Sequence, residues 1–279
     1  MRGAFAIGAL RALHDAGLTS KFDLAIANSS GAIATSYFLA GQSSDVDEGY
    51  WKIITDKKVF DPLRPHKIVD VDRMIDDVVF GALPLDVAAL RKSATPLLVA
   101  VVDADARLPR YFVAQEMSDD ELRSLLKATS ALPGLFNGKI PLRGRRFIDG
   151  GFVDPLPVNR LFALDVATVV VVCTSPLEYG FIDDSLVRRS AIKTLSAGQS
   201  RFVRSWIGTP NPLHDENLER VLADSDMPIK ERHVLAIAPE KKLPDFTRDA
   251  AVLHDAFEQG QLAATSIVAE VQRRLKKSS

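Results

Sequence analysis

The chain has 279 residues, 47% of them apolar, enough to fill the core of one large α/β domain or two small ones. Its 35 basic and 36 acidic residues nearly cancel, so no strong positive field exists to hold a nucleic-acid backbone, and nucleic acid is not an expected partner. No apolar run approaches the roughly 20 residues of a membrane span, and the N-terminus lacks a basic stretch followed by an apolar core. The expectation is a soluble cytoplasmic protein whose only approach to a membrane is loose, peripheral contact with its surface.

Residues 4–17 read as a helix, with Phe5, Ile7, Leu10 and Leu13 on its apolar side and Gly17 as its stop. A short apolar strand follows at 22–27 and runs straight into Asn28-Ser29-Ser30-Gly31. A buried helix then spans 32–40, closed by Gly41. Further helices are expected at 44–55, 69–79, 119–130, 184–207 and 249–277, and buried strands at 96–102, 111–114, 166–173 and 233–238. The proline-containing stretches 62–65 and 208–212 read as loops. The single cysteine, Cys173, lies in an apolar strand and reads as a buried structural thiol in a reducing compartment. Strands alternating with helices, without repeats or a linker, predict a single α/β domain spanning 1–279, its mostly parallel sheet covered on both faces.

Two segments carry chemistry. A serine on a sharp turn between strand and helix has its hydroxyl pushed out at the sheet edge, with small neighbours to avoid clashes. Ala27-Asn28-Ser29-Ser30-Gly31 fits this pattern as a relaxed GxSxG, and Gly31, two residues on, makes Ser29 rather than Ser30 the candidate nucleophile. The following helix points its free N–H groups at that position, and the Ser30 N–H is a candidate oxyanion donor. The plainer reading is that Ser29 and Ser30 only cap the helix. The second segment runs from Ala128-Thr129-Ser130-Ala131-Leu132-Pro133 through Ile140-Pro141-Leu142 to Asp149-Gly150-Gly151 and Val153-Asp154-Pro155. Taken alone, Asp-Gly-Gly reads first as an ordinary turn.

Together these segments, with Arg2-Gly3 before the first helix, resemble the patatin-like phospholipase family over residues 1–160; beyond that the resemblance is loose. It implies a three-layer α/β/α domain and a Ser–Asp dyad that hydrolyses carboxylic esters of lipids without metal or organic cofactor. Ser29 would be the nucleophile and Asp149 the general base. Gly31, Gly150 and Gly151 would support the motif, and Arg2, Gly3 and Ser30 would form the oxyanion hole. A carboxylate at its usual pKa of about 4 is a poor base toward a serine hydroxyl, so Asp149 is expected to titrate higher.

In that family a strand and a glycine-rich loop precede the first helix, whereas this sequence starts at Met1-Arg2-Gly3. The expectation is a start assigned too late, the alternative being a short form that has lost activity. Two rival functions stay open: a catalytically impaired member that binds lipid or a partner protein, and a Ser-Asp-His esterase. The latter needs His214, His233 or His254, none in a convincing context; His14 and His66 come too early or stand alone, and no spacing suggests a metal site. Phe38, Phe60, Phe80, Leu135 and Phe136 read as core more readily than as an acyl channel.

Overall fold

The computed structural model describes residues 3–46, 55–61, 63–64, 67–164, 166–177, 221, 232–244 and 247–275. The chain opens with helix α1 (Gly3–Asp15), strand β1 (Ala25–Ala27) and helix α2 (Ser29–Leu39). Both helices end in the same way. Gly17 and Gly41 take left-handed φ values of 71° and 75°, and the amides around them return to the last turn, Leu18 to Leu13 and Gln42 to Tyr37. The two glycines read as stops are therefore helix terminators of one kind. Helix α2 starts at Ser29, three residues earlier than expected, because the Ser-Ser-Gly turn is itself the first turn.

Helix α3 (Val71–Arg73), capped by the Asp70 side chain, continues as a wider π-helical stretch, Met74–Ala82, beyond the expected end at 79. A short helix not foreseen, α4 (Val87–Lys92), is capped by Asp86. Strands β2 (Leu97–Asp103) and β3 (Leu108–Val113) then form a hairpin. Helix α5 spans Asp119–Ser130, its expected limits. It starts in a capping box in which Ser118 and Glu121 satisfy each other's backbone amides. After α5 come strands β4 (Ile140–Leu142) and β5 (Arg145–Asp149), helix α6 (Val158–Phe162), strands β6 (Thr168–Val172) and β7 (His233–Ile237), and helix α7 (Ala250–Leu275). The helix expected at 184–207 and most of that expected at 44–55 lie outside the described residues.

The architecture is α/β, with a mixed rather than strictly parallel sheet. In the five-stranded sheet β1 pairs with β2 in parallel, while β2–β3, β2–β5 and β4–β5 are antiparallel; β6 and β7 pair in parallel as a separate two-stranded sheet. Short links dictate two of these antiparallel pairs, β2–β3 and β4–β5, since only a crossover of a dozen or more residues can bring a strand back in parallel. β4 and β5 are joined by Arg143 and Gly144 alone, both at positive φ, which is the backbone of a two-residue hairpin turn. All of β2 except half-buried Leu98 is buried, so both faces of the sheet are covered.

α7 brings the C-terminal end back onto α1, and glycines let the two backbones touch. A Cβ on Gly8 would lie 2.0 Å from the Phe257 carbonyl oxygen, and one on Gly260 would lie 2.1 Å from that of Phe5. Phe5 and Phe257 are both buried at this crossing. Gly260→Ala is expected to force the helices apart and lower stability by about 1–3 kcal/mol, while Gln261→Ala changes it little; urea unfolding of the two variants checks this.

Candidate active site

The elbow is assembled from both sides of its serine. Asn28, extended at φ −136° and ψ 165°, follows the strand as the N-cap of α2, and Ser29 sits at φ 51°, a left-handed conformation rare for a residue with a side chain. Such strain persists only where the surroundings hold it. Here they do so through hydrogen bonds distant in sequence. The Ser29 N–H donates to Thr129 Oγ1 at 2.8 Å, and Asn28 Nδ2 donates to the Asp154 carbonyl at 2.9 Å.

Asp149 arrives from the opposite direction. It is the last residue of β5, paired with Val101 of β2, while Ala27, the last residue of β1, is paired with Val99. β1 runs parallel to β2 and β5 antiparallel, so the two strands end facing each other along one edge of β2. Only Ala100 lies between the two pairings. The Asp149 amide donates to the Ala131 carbonyl at 3.2 Å, just past the end of α5. Gly150 follows where no side chain fits, since a Cβ there would lie 2.4 Å from the Ala100 carbonyl oxygen. The Gly151 amide donates to Asp149 Oδ1 at 2.8 Å.

Asp149 is 1% exposed. Burial, which penalises the charged form, pushes its pKa up to about 7 against the opposing side-chain contact with Ser29 and the Gly151 amide. Beyond Gly151, Asp154 is buried and its Oδ2 accepts from the Tyr111 hydroxyl at 3.5 Å. Burial, and next the Asp154 charge, raise the Tyr111 pKa to about 12.

A family model described as patatin-like phospholipase matches residues 1–162, more than half of the chain. The chain belongs to that family. Membership places this patatin-like protein among lipid acyl hydrolases in general, acting on lipid substrates. An uncharacterized protein of Escherichia coli strain K12, YjjU, is 24% identical over 289 residues, covering 98% of this chain and 76% of that protein.

The patatin-like fold thus brings Ser29, Asp149, Gly150 and Gly151 together, with Ser30 and Gly31 in the first turn of α2. A Cβ at Gly31 would meet nothing within 4 Å, so open space lies beside the elbow. Gly3 is buried at the start of α1, and Arg2 lies outside the described residues. His66 and His214 also lie outside them. His14 contacts Thr19 Oγ1 at 2.8 Å, His254 faces Glu258 at 3.4 Å, and His233 opens β7, so each has another role. Cys173 is buried, and burial raises its pKa to about 12, in keeping with a structural thiol. Phe38 is core beside Phe22, and the Phe80 ring is covered by the Arg123 guanidinium at 4.1 Å. Among the described residues no helix is long and apolar enough to cross a membrane, and no three His, Cys, Asp or Glu gather as metal ligands. Sequence reasoning missed Asn28 as a tether and Thr129 as a bridge, because Asp154 lies 126 residues from Asn28, and Ser29 and Ala100 lie 100 and 29 residues from Thr129, so no local spacing marks them.

The raised pKa of Asp149 has a stability consequence of definite sign. Protonation favours the folded state, so this group's contribution is complete below its unfolded value near 3.8 and is lost as pH rises through about 7. Asp149→Asn removes that loss. Its melting temperature is expected to exceed the parent's increasingly between pH 4 and 7 and then level off, with a gain on the order of 4 kcal/mol above pH 7.

Proposed function

We propose that this chain is a serine acyl hydrolase that cleaves carboxylic esters of phospholipids or related lipids through a Ser29–Asp149 dyad. The observation that carries this reading is a buried carboxylate titrating near neutrality beside a serine held in a left-handed elbow. A general base works best when its pKa lies near the operating pH, and burial lifts Asp149 into that range.

In the proposed reaction Ser29 Oγ attacks the ester carbonyl carbon as Asp149 takes its proton. The tetrahedral intermediate collapses, the alcohol leaves with the proton from Asp149, and the acyl group stays on Ser29. Asp149 next takes a proton from water, whose oxygen attacks the acyl carbon; collapse releases the carboxylic acid, and the proton returns to Ser29. The negative oxygen of each intermediate is assigned to the first-turn amide of Ser30 at the N-terminus of α2. By the family resemblance, Arg2 and Gly3 are assigned to the same oxyanion hole. The substrate is lipid at a membrane surface, and no cofactor takes part in any step.

Labelling with a fluorophosphonate, which traps activated serines, is expected to modify Ser29 and to vanish in Ser29→Ala. It is to be run on this chain and on a version extended upstream in frame; if neither is labelled, hydrolysis gives way to a lipid- or partner-binding role. Because only ionised Asp149 accepts a proton, kcat/KM is expected to rise with pH to a plateau, with its midpoint at about 7. Asp149→Asn is expected to abolish that limb and lower kcat on the order of 10⁴-fold.

A further inference from the structure

Thr129, in the last turn of α5, joins the two halves of the site. Its Oγ1 accepts the Ser29 N–H at 2.8 Å and lies 2.8 Å from the Ala100 carbonyl oxygen, and the residue is wholly buried. The chemistry of the groups fixes the direction of this chain. An amide nitrogen can only donate and a carbonyl can only accept, so the single hydroxyl proton of Thr129 must point to Ala100.

Ala100 occupies a particular place. It lies between Val99, which pairs with the end of β1, and Val101, which pairs with Asp149. Its carbonyl therefore falls where one strand has ended and the other has also stopped, and a buried carbonyl left there would lack a partner. Thr129 supplies that partner. It thus hangs the Ser29 backbone from the same strand that holds Asp149, one residue away from the Asp149 pairing.

We propose that Thr129 is a positioning residue of the hydrolytic reaction, setting the placement of Ser29 relative to Asp149 through this two-bond hydroxyl bridge. The inference rests on the Ser29–Asp149 reading above. It has a second consequence: the bridge occupies the Ser29 amide, so the charge on the substrate oxygen falls to the amides that follow it in α2. The hydroxyl is what matters here, not the volume. Serine would keep both bonds, whereas valine, nearly the same shape, would leave a buried N–H and a buried carbonyl unpaired.

The test compares the full chain with Thr129→Val and Thr129→Ser, measuring kcat and KM on p-nitrophenyl butyrate, the rate of fluorophosphonate labelling at Ser29, and thermal melting. Thr129→Val, assayed below its melting temperature, is expected to lose about 100-fold in kcat and in labelling rate, the scale of a misplacement near 1 Å, with KM within about threefold of the parent. Thr129→Ser is expected to stay within about threefold of the parent in every rate, on the same scale. Parental rates in folded Thr129→Val, or an equal loss in Thr129→Ser, would overturn the proposal. If Thr129→Val does not fold, Thr129→Ser and hydrogen exchange at the Ser29 amide decide: retained kcat with a slowly exchanging amide supports the bridge, and a fast-exchanging amide refutes it. Absence of labelling and turnover both in the parent and in the version extended upstream, in which the comparison is run where the parent is inactive, overturns the dyad reading itself, whereas equal rates in parent and Thr129→Val overturn only the role of Thr129.

Discussion

The meeting of β1 and β5 on one edge of β2 is the constraint on which the site depends. A strand edge offers a fixed ladder of donors and acceptors, so whatever pairs with it is placed to within a fraction of an ångström. Ala27 pairs with Val99 and Asp149 with Val101, which puts a serine one turn past the first strand beside a carboxylate at the end of the second. The opposed directions of the two strands are essential. Were β5 parallel to β1, its C-terminal end would point away from the elbow rather than toward it.

Helix α5 acts as a strut for this arrangement and touches the hairpin at both ends. At its N-terminus Glu121 accepts from the Arg143 guanidinium at 2.7 Å, gripping the tip of the β4–β5 turn. That contact, with the Ser118 amide next, holds the Glu121 carboxyl down at about 2. At the other end Thr129 bridges Ser29 and Ala100, and the Ala131 carbonyl accepts the Asp149 amide. Lys127, one turn earlier, pairs with Asp76 at 2.6 Å and ties α5 to the π-helical stretch after α3. The site also concentrates features that local rules disfavour: a buried carboxyl, a non-glycine residue at positive φ, and a glycine where no Cβ fits. Close packing from several segments holds all three in place.

Much of this was legible in the sequence, for identifiable reasons. Gly17 and Gly41 announce helix ends because glycine alone takes the left-handed terminating conformation without strain. The limits of α5 could be read because its capping box is local. Ser29 and Asp149 stood out because a strand-serine-helix turn and an Asp-Gly-Gly at the end of a hairpin leave recognisable neighbours. The strand expected at 22–27 is only Ala25–Ala27, since the Phe22 carbonyl is taken by the Thr95 hydroxyl at 2.6 Å before the ladder begins. The antiparallel pairing of β2 with β3 and β5 was missed because buried apolar strands look alike in either direction. What decided the β2–β3 pair was the shortness of the link after Asp103.

The sequence by itself determined the chemical groups, the family and the local turns, because elbows, caps and terminating glycines are set by residues within four or five positions of one another. Tertiary structure decided what those groups experience. Asp149 titrates near neutrality only because the folded chain removes it from water, and Ser29 keeps its left-handed backbone because Thr129, a hundred residues further on, accepts its amide and the Asp154 carbonyl holds Asn28 beside it. Desolvation and hydrogen bonding between distant segments are properties of packing. They have no counterpart in the order of residues along the chain.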